Sequence, residues 1–188
     1  MSLKDKEKWN RKYRMPGDHS GEAACEWLAD NTDLLTGAGR ALDVAAGAGR
    51  NAVFAAEHGY DVLAVDISEV GLEKARARAA KHRVSIRTET ADLDAYRFEE
   101  NAFDLILCFN FLDRGLFPGL RQALKPGGLI FYETFNLDHL KYTSFRQEWV
   151  LKYNELLRVF QDYRILRYRE VDSGLAGIAS LVARKPSA

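Results

Sequence analysis

The sequence predicts an α/β protein, a doubly wound three-layer α/β/α sandwich around a seven-stranded, mostly parallel sheet whose last strand is antiparallel. Apolar runs alternate with helical patterns along most of the chain. The run Phe103–Phe109 (FDLILCF) is apolar nearly throughout, as expected of a central parallel strand covered on both faces. The last two predicted strands are joined by the short stretch Arg169–Gly177, which cannot hold a parallel crossover and therefore predicts antiparallel pairing.

The elements follow in chain order. Residues 4–14 predict a helix with Trp9 and Tyr13 on one face, and Glu22–Ala29 predicts a second helix. Seven strands are predicted, over Ala41–Ala45, Asp61–Val65, Val84–Glu89, Phe103–Phe109, Leu129–Thr134, Tyr163–Tyr168 and Ile178–Ala183. Helices are predicted between them over Arg50–His58, Glu69–Lys81, Leu116–Leu124 and Glu148–Phe160. Gly59 ends the first of these four, Ser68 caps the second, and Lys125–Gly128 forms a turn.

Length and composition favour one domain over residues 1–188, with 1–31 as an N-terminal helical cap and 40–184 as the α/β core. The formal net charge is zero, so we expect neither nucleic acid nor a membrane surface as partner. Cys25 and Cys108 match no metal or disulfide spacing, and the N-terminus is charged. These features predict a cytoplasmic protein without a metal, as a monomer or weak homodimer.

The stretch Ala41–Arg50 (ALDVAAGAGR) predicts a buried strand, a glycine-rich turn and the start of a helix. Such a helix N-terminus offers free amides to an anionic group, and Asp66 after the next strand can accept hydrogen bonds from ribose hydroxyls. Gly47, Gly49 and Ala52 also satisfy the dinucleotide pattern G-x-G-x-x-A. An NAD-dependent oxidoreductase, or a non-catalytic cofactor-binding module, would use the same turn. The antiparallel ending disfavours the oxidoreductase, because the chain has no room for a second mononucleotide half or a substrate domain.

Five motifs together resemble the class I S-adenosylmethionine-dependent methyltransferases over nearly the whole chain: LDVAAGAGRN (42–51), VDIS (65–68), ADL (91–93), FDLIL (103–107) and LKPGG (124–128). Four further segments are similar to the small bacterial tellurite-resistance-type members: WNRKY (9–13), GRN (49–51), ETF (133–135) and NELLRVF (154–160). The resemblance implies a Rossmann-like methyltransferase fold. It also implies transfer of a methyl group to a small-molecule acceptor by in-line displacement, giving S-adenosylhomocysteine.

The resemblance also implies which residues hold S-adenosylmethionine. Asp43 and the turn would hold its methionine part, Asp66 its ribose and Asp92 its adenine amino group. The full set is Asp43, Ala45, Gly47, Gly49, Arg50, Asn51, Asp66, Ile67, Asp92, Leu93 and Asn110. Ala45 replaces the first glycine of the family pattern, which matters only if that residue needs a positive φ angle.

The acceptor is expected over the carboxyl ends of the fourth and fifth strands. Its candidate contacts are Trp9, Tyr13, Phe111, Arg114, Tyr132, Glu133 and Phe135. Arg114 is the cation of this set and is expected to neutralise an anionic acceptor. No catalytic residue is predicted, because an activated methyl donor requires alignment more than acid–base chemistry. The N-terminal helix is expected to close over bound cofactor.

Overall fold

The structure is a computed structural model that describes residues 3–15 and 21–187. Seven strands form one sheet: β1 Arg40–Val44, β2 Asp61–Asp66, β3 Arg87–Thr90, β4 Phe103–Phe109, β5 Leu124–Phe135, β6 Arg164–Asp172 and β7 Gly177–Arg184. Their order is β3-β2-β1-β4-β5-β7-β6. The neighbours from β3 to β5 pair parallel, and β7 is antiparallel to both β5 and β6. The predicted fold class is confirmed.

Helices cover both faces of this sheet, with bounds α1 Leu3–Arg14, α2 Glu26–Ala29, α3 Arg50–Glu57, α4 Glu69–Lys81, α5 Phe117–Ala123 and α6 Glu155–Val159. Short 3₁₀ turns lie at Thr32–Leu34, Arg114–Leu116, Leu137–Lys141 and Gln147–Trp149. One apolar core joins the sheet to α5 and α6, and a second joins its other face to α2, α3 and α4. Within the described residues, no helix is long and apolar enough to cross a membrane.

The predicted helix Glu148–Phe160 is wrong over its first half. Val150 and Leu151 are fully buried in extended backbone, and the Leu151 amide donates to the Phe135 carbonyl at 2.9 Å. Asn154 has a left-handed backbone (φ 57°), so a helix begins only at Glu155. The apolar spacing came from two separately buried segments, which periodicity alone cannot distinguish from one helix.

Three smaller predictions also change. The helix predicted over Glu22–Ala29 is reduced to α2, and β3 begins three residues later than Val84. The turn predicted at Lys125–Gly128 lies inside β5 as an interruption of its pairing with β4, where Phe103 pairs with Leu124 but Leu105 pairs with Leu129.

The N-terminal helix docks on the start of α4. Asn10 is buried, and its Oδ1 accepts hydrogen bonds from the Ser68 hydroxyl at 2.7 Å and the Val70 amide at 3.4 Å. Lys6 pairs with Glu69 at 3.1 Å. This anchor brings the Trp9 and Tyr13 rings, 6.1 Å apart, to the carboxyl edge of the sheet.

Gly49, at the start of α3, allows a close approach to α4. Its φ is 74°, and a Cβ at this position would lie 2.5 Å from the Ala75 Cβ. We expect Gly49→Ala to destabilise the fold by roughly 2–4 kcal/mol, because overpacking adds to the cost of a left-handed alanine. Gly174→Ala is the matched control, since Gly174 has φ 79° and no described atom within 4 Å. It should cost about 1 kcal/mol. Urea unfolding measures the free energy of unfolding of both variants. Equal losses for Gly49→Ala and Gly174→Ala would contradict the packing role of Gly49.

Candidate cofactor and acceptor cleft

A cleft of about 540 Å³ lies at the carboxyl ends of β1, β2, β4 and β5. Parallel sheets bind ligands at this edge. The structure brings together eleven of the predicted site residues in its lining: Trp9, Tyr13, Asp43, Ala45, Gly47, Arg50, Asn51, Asp66, Ile67, Asn110 and Phe111. Phe135, the further acceptor candidate, lines it as well.

The glycine turn is fixed by the Asp66 carboxylate. One oxygen accepts from the Gly47 amide at 2.8 Å and the other from the Ser68 amide at 2.7 Å. Burial raises the pKa of Asp66, and the hydrogen bonds from these amides oppose that rise. The turn after β1 is therefore tied to the end of β2 and the start of α4.

Asp43 has a buried carboxyl group, and one of its two oxygens lacks a hydrogen-bond partner among the described residues. Its side chain is 2% exposed, and Oδ2 has no hydrogen-bond partner among the described residues. Burial raises the pKa of Asp43 to about 8, while a hydrogen bond from the Ala52 amide and the charge of Arg50 act in the opposite direction. A buried carboxylate without a partner is unfavourable, so this atom is suited to a cationic ligand group in the cleft.

Tyr13 lies directly over the turn. Gly47 has φ 54°, and a Cβ at Gly47 would collide with the Tyr13 hydroxyl. The Tyr13 ring also contacts Gly71 on α4, where an added Cβ would come within 3.0 Å of it. Burial raises the pKa of Tyr13 well above its ordinary value, and the carboxylates of Asp66 and Asp43 add to this rise. The hydroxyl is therefore neutral at physiological pH.

Ala45 has φ 55°, in the left-handed region. The replacement of the family glycine therefore matters, because the turn does require a positive φ here. A left-handed alanine costs about 1–2 kcal/mol. Asn110, at the matching end of β4, also has φ 55°, but asparagine tolerates this conformation better.

Three predicted cofactor residues lie outside the cleft lining. Gly49 packs against Ala75, as described above. Leu93 is fully buried in the core, and the neighbouring Asp92 is half-buried on the loop after β3. In this conformation, the adenine end expected at Asp92 and Leu93 is not part of the enclosed cleft.

Three predicted acceptor contacts, Tyr132, Glu133 and Arg114, bind other groups of the protein instead. The Tyr132 hydroxyl is buried and donates to the Phe111 carbonyl at 3.0 Å. Glu133 accepts a hydrogen bond from the buried Ser180 hydroxyl at 2.6 Å. Neither residue lines the cleft, because both are held within the sheet layers.

The prediction that Arg114 neutralises an acceptor is corrected. Its guanidinium makes two hydrogen bonds to the Glu155 carboxylate, at 2.7 and 2.9 Å. It also donates to the carbonyls of Glu148 at 2.7 Å and Val150 at 2.9 Å. These bonds engage the guanidinium N–H donors of Arg114 outside the cleft. Arg114 therefore fixes the backbone of residues 148–155.

Outside the glycine turn, sequence reasoning missed six lining residues: Lys12, Phe109, Leu112, Thr134, Phe145 and Trp149. Phe145 lies between the predicted strand Leu129–Thr134 and the predicted helix Glu148–Phe160, and Trp149 lies at the start of that helix. Their signal was the presence of large aromatic side chains in a polar, pattern-free stretch that follows β5 directly.

Comparisons with known proteins agree with this architecture. Residues 41–128 match the family described as "Methyltransferase domain". The chain is 30% identical over 140 residues to Hemagglutinin 1 of Eikenella corrodens, covering 70% of this chain and 46% of that protein. It is 29% identical over 106 residues to a Ubiquinone biosynthesis O-methyltransferase of Coxiella burnetii, covering 54% of this chain and 45% of that protein. The chain therefore spans about half the length of these curated relatives.

Two solved structures share the fold. TehB from Haemophilus influenzae superposes with a TM-score of 0.72 at 22% identity, over 96% of this chain and 66% of TehB. An S-adenosylmethionine dependent methyltransferase from Mesorhizobium loti superposes with a TM-score of 0.70 at 22% identity, over 86% and 98%.

The left-handed backbone at Ala45 gives a stability prediction. Ala45→Gly should stabilise the protein by about 1 kcal/mol, because glycine adopts φ 55° without a steric penalty. Ala46→Gly is the control at the neighbouring position, which is not among the positive-φ residues. It should be neutral or destabilising. Urea unfolding of both variants checks this, and a loss of stability in Ala45→Gly would contradict it.

Proposed function

We propose that the chain is an S-adenosylmethionine-dependent methyltransferase that transfers the methyl group of this cofactor to a small-molecule acceptor, and the match of residues 41–128 to a methyltransferase domain supports this. The observation that carries the proposal is the unpaired oxygen of buried Asp43, beside a glycine turn at the start of α3. A group with a cationic amine and a ribose would satisfy both Asp43 and the neighbouring Asp66.

The residues present fit this cofactor. We assign the methionine ammonium to Asp43 and the ribose hydroxyls to Asp66, which keeps lone pairs beyond its two amide bonds. The backbone of the turn from Ala45 to Gly47 would contact the methionine part. Tyr13 lies over Gly47, where a Cβ would collide with its hydroxyl, so the absence of a side chain at Gly47 is what allows this close approach to the turn.

The cofactor supplies a methyl group already activated by its positive sulfur. The chain then has to orient the acceptor and exclude water, and such alignment can lower a barrier by roughly 7–11 kcal/mol. Asp43 and Asp66 are the carboxylates among the described lining residues, and this assignment uses both for the cofactor. No carboxylate among the described lining residues is left to act as a general base. We therefore infer an acceptor that ionises in solution.

A non-catalytic cofactor-binding module is the alternative that uses the same cleft. It would bind S-adenosylhomocysteine but release no methyl group to any acceptor. An NAD-dependent oxidoreductase has less support, because the matched family is a methyltransferase domain. Preferential binding of NAD over S-adenosylmethionine in calorimetric titration would restore it.

Substitution of Asp43 tests the cofactor assignment. Asp43→Asn should weaken binding of S-adenosylhomocysteine by roughly 10- to 100-fold, the usual worth of a hydrogen bond to a charged group. Because the pKa of Asp43 is about 8, its carboxyl is mostly protonated at about pH 6.5. The ammonium requires the carboxylate, so wild-type binding should release a proton and strengthen as pH rises towards 8.

Calorimetry at about pH 6.5 in two buffers of different ionisation enthalpy measures this proton release. Asp43→Asn should release none. Asp61→Asn is the control, since Asp61 makes an exposed ion pair with Arg87 and should leave binding unchanged. Wild-type binding without proton release would contradict the assignment of the ammonium to Asp43.

We also propose that α1 retains the cofactor, since Tyr13 covers the glycine turn and Asn10 anchors the helix on α4. A chain lacking residues 1–14 should bind S-adenosylhomocysteine about 10-fold more weakly, because a buried tyrosine contact is lost. Lys8→Ala, on the exposed side of the same helix, is the control. Cooperative thermal unfolding of the truncated chain must accompany the titration. An unchanged dissociation constant with an intact fold would reject the role of α1.

A further inference from the structure

The acceptor end of the cleft is built from aromatic rings. Phe111, Phe135, Phe145 and Trp149 line it from the loops after β4 and β5, and Trp9 lines it from α1. Phe145 and Trp149 are 41% and 52% exposed. Large apolar side chains exposed together beside a cleft mark a binding surface rather than core packing. We call these five residues the aromatic wall.

Three rings of the wall, those of Phe135, Phe145 and Trp149, form a row of contacts. Phe135 and Phe145 are edge-to-face with centroids 5.8 Å apart, and Phe145 and Trp149 are edge-to-face at 6.2 Å. The His139 ring stacks on Phe135 at 3.8 Å. Such a continuous set of edges and faces complements a flat ring better than a small aliphatic group.

Hydrogen bonds from outside the cleft fix the backbone that carries Trp149 and Phe135. Arg114 donates to the carbonyls of Glu148 and Val150, which flank Trp149. The Leu151 amide donates to the Phe135 carbonyl, so the segment returns to the end of β5. The exposed rings are therefore part of a preformed surface, and a preformed surface loses less entropy when it binds.

Charge separates the two ends of the cleft. Asp43, Asp66 and Arg50 lie around the glycine turn, and Lys12 lines the cleft with its Nζ 4.5 Å from the centroid of the Trp9 ring. The lining residues from Thr134 to Trp149 carry no charged side chain. Arg146 lies over the Trp149 ring, but it also pairs with Glu148 at 3.0 Å. Against the rings of Phe135, Phe145 and Trp149, an oxyanion such as tellurite would lose hydration without a matched charge from the lining, which is unfavourable.

We propose, building on methyl transfer as the function of this cleft, that the acceptor is a planar aromatic small molecule bearing a thiol or hydroxyl that ionises in solution. Its proton goes to water before it binds. A lone pair of the ionised sulfur or oxygen then forms the new bond to the methyl carbon. The bond from that carbon to the cofactor sulfur breaks, and its electron pair stays on the sulfur to give neutral S-adenosylhomocysteine.

The experiment compares four acceptors with the full chain and S-adenosylmethionine. The aromatic probes are 4-nitrothiophenol and 4-nitrophenol, largely ionised at about pH 8. The others are 2-mercaptoethanol and tellurite. We expect kcat/KM for an aromatic probe to exceed the values for 2-mercaptoethanol and tellurite by at least about 10-fold, because its ring contacts the wall. Aromatic probes that react no faster than the other two, or not at all, would overturn the proposal.

Variants locate the effect on the wall. Trp149→Ala should raise KM for the aromatic probe about 10-fold and leave the dissociation constant of S-adenosylhomocysteine unchanged. Trp149→Phe should restore part of the loss. Tyr142→Ala is the control, because this exposed ring lies in the same segment but does not line the cleft. Equal effects of Trp149→Ala and Tyr142→Ala would overturn the proposal. Failure of the wild type to bind S-adenosylhomocysteine would instead overturn the proposed function itself, and this inference with it.

Discussion

The cleft depends on one buried carboxylate, that of Asp66. Its two oxygens hold the Gly47 amide on one side and the Ser68 amide on the other. The Ser68 hydroxyl accepts from the Gly71 amide, which caps α4, and donates to Asn10, which anchors α1. Asp66 thus positions the glycine turn directly, and through Ser68 it connects that turn to the helix that carries Tyr13 and Trp9. Hydrogen bonds linked in this way support one another in a low-dielectric interior.

The sequence predicted the parts of the cleft that arise from local rules. A strand, a glycine turn and a helix start follow one another between Arg40 and Glu57, so a local motif predicts where Asp43 and Gly47 lie. The direction of strand pairing also followed, because helices between strands impose parallel pairing and the short link before β7 imposes the antiparallel pair. Twelve of the residues expected at the site, Phe135 included, consequently line the cleft.

The parts that were missed depend on contacts between distant segments. Arg114 looks like a free cation in the sequence, but Glu155 lies forty-one positions further along the chain and takes its guanidinium. Val150 and Leu151 fit a helical pattern, yet burial against β5 holds them extended. Tyr132 and Glu133 follow one another at a strand end, and both have partners within the sheet layers. The spacing of residues along the sequence cannot reveal such partners, because it does not show which distant segment packs against a given side chain.

The two ends of the cleft therefore have different physical origins. The end with Asp43 and Asp66 is set by backbone geometry, and its left-handed Ala45 is a residue held in a strained conformation by the surrounding turn. The end with Phe145 and Trp149 is set by side chains on an irregular segment that Arg114 fastens at Glu148 and Val150. Substitutions on that segment can alter the acceptor surface without disturbing the turn, because no backbone hydrogen bond of the turn involves it. In this chain the end with Asp43 and Asp66 is thus constrained by the fold, and under the proposed function a single segment attached to it would set specificity for the acceptor.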